Sequence, residues 1–420
     1  MKINFFWDKI KSNKLFFKNF SYLTLVEVIN LVLPFITLPY LLITLNKENY
    51  GLVIFSQSIV LYFLIIQNFG LNTYAVKEIS TYLNNKNKLN SIVSTVIIIK
   101  IGLFLFNFFL LYGLTFFIPV IGNNKILFYL SMWVCLFDVI FPRWYFQGIE
   151  KMKWITYVFF VSKTLSLILI FALIKIPSDS IKVPLIYGVG GLISSIAGLY
   201  VVFKIDKIKF AFQSINSIKQ TIKSSITFFI SDVSVAIFAN SNKVIIGATL
   251  GMVDLSYYDI AEKVISASRN IPLNIVRDSI YPRVVKTKNL LIVKKTTIFM
   301  SFYAIFVIVI IFFAAPFIIN TLGGGAMQKS ITILRIFSIT IFTTHFSNYY
   351  ITVGLWSMGY EKSFRNLMMY SALFFFILIS ILWIFQSMNV YTLTSLPIFV
   401  DLYLIVHTYL LYKQKKILNE

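Results

Sequence analysis

Residues 22–45 of this chain read YLTLVEVINLVLPFITLPYLLITL, a run in which nearly every side chain is apolar. A helix needs about 20 apolar residues to cross the hydrocarbon core of a bilayer. Runs of that length recur, from Gly51 to Leu71 and onward to Val390–Leu411. We count twelve, which use up nearly all of the 420 residues. The sequence therefore predicts an all-α polytopic membrane protein with twelve transmembrane helices and no sizeable extramembrane domain.

The composition excludes a soluble protein and explains the large positive charge. Hydrophobic residues make up 58% of the chain and charged residues 13%, far below the roughly 25% charged that is typical of a globular domain. The net charge is +22, but the basic residues follow the loops. One set of alternate connections, with the two termini, holds 26 Lys and Arg, whereas the other set holds five. This asymmetry predicts cytoplasmic termini and argues against a nucleic-acid partner.

Charged residues inside the apolar runs are the candidate functional residues. A basic group facing lipid at a helix centre costs at least ~2.5–3.5 kcal/mol, so such groups are expected to face a bundle interior or a wet cavity. Basic groups in a wet cavity suit an anionic ligand such as a phosphate. The predicted substrate-binding residues are Lys100, Lys163, Lys263, Arg269, Arg277 and Arg335, with Asn270 and Gln57. The acidic candidates for binding a coupling ion are Glu27, Asp232, Asp259 and Glu262. The alternative is a set of buried ion pairs that hold the bundle together.

Helical phase favours an aqueous path along the eighth predicted span. At about 100° per residue, the polar residues from Asp259 to Arg277 fall within an arc of roughly 140°. The opposite face consists of Ile, Val, Leu and Ala. A polar stripe across a whole membrane thickness is more than one structural ion pair requires. Shorter stripes on other spans are weaker signals, because Ser and Thr also serve helix packing.

A weak internal repeat predicts two bundles of six helices. Shifting the first half by 205 residues lays Glu27 on Asp232 and Gln57 on Glu262. Transporters are commonly built from such duplications. The predicted domains are an N-terminal bundle over residues 1–205, a cytoplasmic linker over 206–222, and a C-terminal bundle over 223–420. A ligand path is then expected between the bundles.

No motif for enzyme chemistry occurs in the sequence. Two histidines and the single Cys135 do not supply a metal site, and no HExxH, CxxC or Ser–His–Asp pattern is present. Gly323–Gly325 is not followed by GK[ST], so a flexible connection explains it better than a phosphate loop. We therefore predict a protein that is not an enzyme and has no cofactor. A proton or sodium gradient is a possible source of energy.

Three segments resemble a known family: WYFQGIEKM at Trp144–Met152, YGLVIFSQS at Tyr50–Ser58 and GLNTYAVKEIS at Gly70–Ser80. YDIAEKV at Tyr258–Val264 adds to the resemblance. They are similar to the Wzx-type O-antigen and polysaccharide repeat-unit flippases of the multidrug/oligosaccharidyl-lipid/polysaccharide (MOP) exporter superfamily.

The resemblance implies a V-shaped, MATE-like (MOP) fold and alternating access. It also implies a multi-pass protein of the bacterial inner (plasma) membrane whose cargo is an undecaprenyl-pyrophosphate-linked oligosaccharide. The cargo moves from the cytoplasmic to the outer leaflet. The expected partners are this cargo, membrane lipid, and the polysaccharide polymerase and chain-length machinery. Lys263 stands in YDIAEKV and Arg335 in a further matching segment, Leu334–Arg335–Ile336. Lys100, Lys163 and Arg269 rest on helix phase.

Three other functions stay open. A multidrug or cation antiporter of the same superfamily would share the fold, and the acidic residues in the spans are compatible with it. A flippase for lipid II or a teichoic-acid precursor would differ only in cargo. A membrane polysaccharide polymerase or ligase usually has one long outer loop, and no such loop is predicted here.

Overall fold

The computed structural model describes the backbone of residues 2–414. Side chains are described from residue 32 to 414 and at 22, 25, 26, 28 and 29, but not at 194, 238, 239, 271, 275, 277–279, 282, 283, 286, 356 and 361. No strand occurs in the described residues, so the predicted all-α class is confirmed for this part of the chain.

The α-helices follow one another with short connections. In chain order they are α1 (Lys2–Asn68), α2 (Leu71–Thr81), α3 (Lys86–Phe117), α4 (Pro119–Asn123), α5 (Lys125–Ser131), α6 (Trp133–Ile140), α7 (Arg143–Gly148), α8 (Met152–Leu173), α9 (Lys182–Tyr200), α10 (Ile215–Thr249), α11 (Met252–Thr287), α12 (Leu290–Gly323), α13 (Lys329–Asn348), α14 (Glu361–Ile384) and α15 (Val390–Gln414). Short 3₁₀ segments lie at Pro177–Ile181 and Gly325–Met327, and π-helical segments at Val201–Ile205 and Tyr349–Trp356.

Nine helical segments within residues 2–414 are long and apolar enough to cross a membrane, and the bent pair Ile215–Ile237 and Asn240–Thr249 makes a tenth if it is one span. The second predicted span and the end of the first both fall in Val32–Thr81, which contains the kink at Asn46 and the break between α1 and α2 at Gly70. The eighth predicted span, α11, carries too many charges to count as apolar. The chain is a helical membrane protein, and the number of twelve spans stays a prediction.

The chain divides into two compact units. The first comprises Ile59–Phe229 and the described part of Met1–Thr37, and the second comprises Leu38–Ser58 and the described part of Ile230–Glu420. In the first unit, α9 packs against α8 and α6, and α2 packs against α7. In the second unit, α13 is central because it contacts α11, α12 and α15. The predicted bundle boundaries and linker stay predictions.

Two local features explain where α1 bends and ends. Asn46 adopts φ 61° and ψ 171°, and its side-chain oxygen accepts a hydrogen bond from the backbone N–H of Asn49, which starts the next helical stretch. Gly70 follows α1 with φ 69°, and a Cβ there would lie 2.4 Å from the carbonyl oxygen of Ser225. Left-handed backbone and close approach both require glycine at this position.

The exposed side chains identify the surfaces that face lipid. On α12, large apolar residues are largely exposed, among them Phe302 (69%), Phe313 (77%) and Phe317 (74%). Soluble monomers rarely expose apolar patches of this kind. The opposite side of the same helix is buried, at Met300, Ala304 and residues further along. Helices of this pattern are solvated by hydrocarbon on one side and by neighbouring helices on the other.

Candidate functional site

A buried charge network in the second unit is centred on Asp259 of α11. Its carboxylate is fully buried, and the Nζ atoms of Lys243 and Lys263 lie 3.0 Å from Oδ1 and 2.6 Å from Oδ2. The Tyr50 hydroxyl donates to Oδ2 at 2.6 Å and accepts from the Lys263 ammonium at 2.6 Å. Lys243 also lies 3.0 Å from Oε2 of Glu262. Two ammonium groups therefore balance two carboxylates.

This network joins residues that we predicted for two different roles. Lys263 is a predicted substrate residue, whereas Asp259 and Glu262 are predicted ion-coupling residues. The i,i+4 spacing places Asp259 and Lys263 on one face of α11, where they attract each other. A fully buried carboxylate needs such partners because an unpaired buried charge is very costly. The geometry favours a structural ion-pair network here, and the transport roles of these residues stay predictions.

Arg269 has different surroundings, further along α11. Its Nε donates to Oδ1 of Asn270 at 3.3 Å, and its Nη1 lies 3.5 Å from Oγ1 of Thr340 on α13. No carboxylate among the described residues forms an ion pair with it, although its charge acts on Asp401 of α15 from a longer distance. A guanidinium has five N–H donors. Arg269 therefore keeps donors that suit a planar anionic group such as a phosphate.

Helices α13 and α15 surround Arg269 with further polar groups. The Oδ2 atom of Asp401 accepts hydrogen bonds of 2.7 Å from the hydroxyls of Thr343 and Thr344. His345 is buried, and neither of its ring nitrogens has a hydrogen-bond partner among the described residues. Its ring stacks on Tyr349 at 5.9 Å. Buried polar groups without partners are rare in purely structural cores, so this region is a candidate functional region.

In the first unit, Lys100 lies at the centre of a second network. Its side chain is 1% exposed, and its Nζ lies 2.7 Å from Oδ2 of Asp138. The ammonium also donates to the side-chain oxygens of Asn68 and Asn72, at 3.1 and 2.9 Å. Gln67 donates to the same carboxylate oxygen at 3.3 Å. Protein atoms thus satisfy all three N–H bonds of the ammonium, and the substrate role of Lys100 stays a prediction that this geometry does not favour.

Lys163 on α8, in the first unit, resembles Arg269 in having no ion pair with a carboxylate of the described residues. Its Nζ lies 5.8 Å from the ring centroid of Tyr187 on α9, a cation–π distance. Among the described side chains, no carboxylate forms an ion pair with it. Of the predicted cationic residues, Lys163 and Arg269 therefore have the contacts expected of an anion-binding group.

The remaining predicted residues do not join these groups. Arg335 donates to the carbonyl oxygen of Phe312 at 3.0 Å and stacks over its ring at 4.9 Å. Phe312 is 48% exposed, so Arg335 faces the outer side of α12. Gln57 is half-buried and Asp232 is exposed. The side chains of Glu27 and Arg277 lie outside the described residues.

The sequence segments that carry the family resemblance meet within each unit. Tyr50 of YGLVIFSQS contacts Lys263 of YDIAEKV. Gly148 of WYFQGIEKM lies so close to Ile79 of GLNTYAVKEIS that a Cβ would approach its side chain to 2.6 Å. The site residues outside the predicted set include Tyr50, Thr340, Lys243, Asp138 and Asp401. The last three are charged residues inside apolar runs, and that position is the signal that could have found them. Only the place of Tyr50 in a quoted motif could have indicated it, and Thr340 carried no signal.

The described residues contain no group of three His, Cys, Asp or Glu side chains that is arranged to hold a metal ion. The fold and the buried charges define a polytopic helical membrane protein whose polar chemistry lies inside its helical units.

Comparisons with known proteins agree with this class. Residues 16–288 match the family described as "Polysaccharide biosynthesis protein". A "Putative O-antigen transporter" of Escherichia coli K12 is 26% identical over 377 residues, which cover 88% of this chain and 91% of the relative. A protein of the same name from Shigella dysenteriae is 27% identical, with 69% of this chain and 72% of the relative covered. This chain belongs to the polysaccharide biosynthesis protein family, and the kinship predicted from its motifs is confirmed.

Two solved structures share the fold. The lipid II flippase MurJ, in an inward closed conformation, matches with a TM-score of 0.75 at 14% identity, over 92% of this chain and 86% of MurJ. An inward-facing MATE family multidrug transporter of the MOP superfamily matches with a TM-score of 0.67 at 13% identity, over 91% of this chain and 97% of the transporter. At these identities the likeness concerns the fold alone.

Proposed function

We propose that this protein is a flippase for undecaprenyl-pyrophosphate-linked oligosaccharide, such as an O-antigen or other polysaccharide repeat unit. It moves the cargo from the cytoplasmic to the outer leaflet of the bacterial inner membrane by alternating access, with both termini in the cytoplasm. The family match and the names of the relatives support the cargo class. The concentration of Lys and Arg in alternate connections supports the orientation.

The observation that carries this proposal is the placement of Arg269. An intramembrane cation is expensive, and in a static helix bundle a carboxylate normally balances it. Asp259 has this role for Lys263, and Asp138 has it for Lys100. Arg269 has only amide and hydroxyl oxygens within hydrogen-bond distance among the described residues. A pyrophosphate would supply a negative charge in direct contact with Arg269 through bidentate, charge-assisted hydrogen bonds.

The rest of the proposed cycle follows from the neighbouring residues. Lys163 is the candidate cation of the first unit, and amides such as Asn270 and Gln57 offer hydrogen bonds to sugar hydroxyls. Twelve spans in two six-helix bundles would rock to expose the site to each side. No bond of the cargo is broken, so the protein is not an enzyme and needs no cofactor. A proton or sodium gradient acting on Asp232 or Glu262 is a candidate driving force, and a polymerase with its chain-length machinery would receive the cargo.

The test is transfer of a labelled polyprenyl-pyrophosphate oligosaccharide between leaflets of liposomes that contain the purified protein. We expect protein-dependent transfer by the wild type and a loss of about 10- to 100-fold for Arg269→Ala, because a hydrogen bond to a charged group is worth ~1.5–3 kcal/mol. Arg335→Ala is the matched control. It also removes an arginine from a membrane helix, but Arg335 contacts Phe312 and is expected to leave transfer nearly unchanged.

Each alternative gives a different result in the same liposomes. Transfer of lipid II or of a teichoic-acid precursor, without transfer of the repeat unit, would keep the flippase and change its cargo. Gradient-driven uptake of a cationic dye, without transfer of any lipid-linked glycan, would replace the proposal by cation antiport. Equal loss in the two arginine variants, with both proteins folded, would show that Arg269 is not the specific anion-binding residue.

A further inference from the structure

The connection between the π-helical segment Val201–Ile205 and α10 is fixed to α3 by hydrogen bonds. We call residues 206–214 the linker segment. The N–H of Lys209 donates to the side-chain oxygen of Asn90 at 2.9 Å, and the N–H of Ala211 donates to the hydroxyl of Ser94 at 3.1 Å. Both acceptors lie on α3. Ile208, between these bonds, is 4% exposed. The linker segment therefore packs against α3 through Ile208 and two hydrogen bonds, and its exposed side chains form an outer face.

Asp206 is the only acidic residue between Lys204 and Lys223, and it is already neutralised. Its Oδ1 lies 2.5 Å from Nζ of Lys151, and its Oδ2 accepts a hydrogen bond from the hydroxyl of Tyr145 at 3.1 Å. These bonds fix the start of the linker segment. They also remove the one carboxylate that would balance the lysines that follow it in the chain.

The outer face of the linker segment carries aromatic side chains. Phe212 is 92% exposed and Phe210 is 44% exposed. Their rings pack edge to face with centroids 5.8 Å apart. Ile215, the first residue of α10, is 69% exposed. These residues form an apolar surface in an otherwise polar connection, and surfaces of this kind mark interaction sites.

Lysines flank this apolar surface along the sequence. Lys204, Lys207, Lys209, Lys219 and Lys223 are all exposed, and none of them forms an ion pair with a carboxylate of the described residues. Lys219 and Lys223 are four residues apart on α10, so they share one face of that helix. The surface thus combines five positive charges with two exposed phenylalanines.

We propose that the linker segment and the first turns of α10 dock on anionic phospholipid head groups. The phenylalanine rings enter the boundary between head groups and acyl chains, and the lysines contact lipid phosphates. Charge complementarity favours this partner, since basic residues combined with exposed aromatic rings are typical of interfacial membrane binding. The linker segment also starts directly after the membrane span Pro177–Ile205, so the bilayer surface is within its reach. This inference does not rest on the proposed transport function.

The test uses the full-length protein in nanodiscs with one environment-sensitive fluorophore. The label is attached to Phe212→Cys in a Cys135→Ser background, because Cys135 is the only native cysteine. Discs contain phosphatidylcholine alone or a mixture with phosphatidylglycerol. A second probe, at Ser387→Cys, is the matched control, since the connection at residues 385–389 has an exposed phenylalanine, Phe385, but no lysine or arginine.

We expect a blue shift and protection from aqueous quencher at position 212 that grow with phosphatidylglycerol content. One molar salt, where the screening length is about 3 Å, should reverse them. Each lysine changed to glutamine among Lys207, Lys209 and Lys219 should weaken the apparent affinity for phosphatidylglycerol about fivefold. Lys175→Gln with Lys182→Gln, in another connection, should leave it unchanged. Equal spectra with and without phosphatidylglycerol, or a response equal to that of the control probe, would overturn the inference, as would a probe that becomes protected only when an acidic protein is added.

Discussion

Replacing Lys100 by Met separates a structural lysine from a substrate-binding one. The change removes the ammonium that lies 2.7 Å from Asp138 and leaves the side-chain oxygens of Asn68 and Asn72 without their donor. Breaking a buried pair from one side costs ~3–5 kcal/mol. Because the Asp138 side chain is 22% exposed, we expect a loss near the lower end, about 3 kcal/mol of unfolding free energy. This corresponds to an unfolding equilibrium shifted by about 100-fold.

The assay is equilibrium unfolding in mixed detergent micelles. Wild type, Lys100→Met, Asp138→Leu and the double variant Lys100→Met, Asp138→Leu together form a double-mutant cycle. The double variant should recover most of the lost stability, because no charge is left unpaired. Lys151→Met is the matched control. It breaks the pair with Asp206, whose lysine is 44% exposed, and should cost less than about 1 kcal/mol. A Lys100→Met protein with unchanged stability but no transport would refute the structural role and favour direct contact with substrate.

Two further variants test the packing around the Asp259 network. Tyr50→Phe removes a hydroxyl that donates to Asp259 and accepts from Lys263, and we expect a loss of ~1–3 kcal/mol of unfolding free energy in the same assay; an unchanged stability would mean that the network does not form. Gly51→Ala places a Cβ 1.9 Å from the carbonyl oxygen of Met252, so a backbone shift costing ~1–3 kcal/mol is expected. Gly102→Ala, which has open space around it, should be neutral or slightly stabilising, and equal effects at the two glycines would contradict the close contact.

Hydropathy predicted the all-α membrane class because it acts locally along the chain. An apolar run must be helical in lipid, whatever the rest of the chain does. The same local reasoning explains part of the Asp259 network, since Asp259 and Lys263 are one helical turn apart. The eighth predicted span, α11, is not among the segments that are apolar enough to cross a membrane, because it carries several charged residues. The same charged residues made α11 a candidate for lining a polar path.

The pairing of charges between helices was not predictable from the sequence. Helical phase tells which side chains share a face, but not which neighbouring helix that face meets. Lys100 and Arg269 therefore looked equivalent as intramembrane cations. The structure separates them, because Asp138 lies beside Lys100 whereas, among the described side chains, Arg269 has only amide and hydroxyl oxygens within hydrogen-bond distance. Tyr50 was missed for the same reason, since 209 residues separate it from Asp259.

The central claim is that Arg269 recognises the pyrophosphate of a lipid-linked oligosaccharide. The most direct measurement compares, in the same liposomes, transfer of the pyrophosphate-linked glycan with transfer of the same glycan on an uncharged polyprenyl ether. Wild-type protein should prefer the pyrophosphate by about 10- to 100-fold, and Arg269→Ala should lose most of that preference. Equal transfer of the two lipids by the wild type, or an undiminished preference in folded Arg269→Ala, would contradict it.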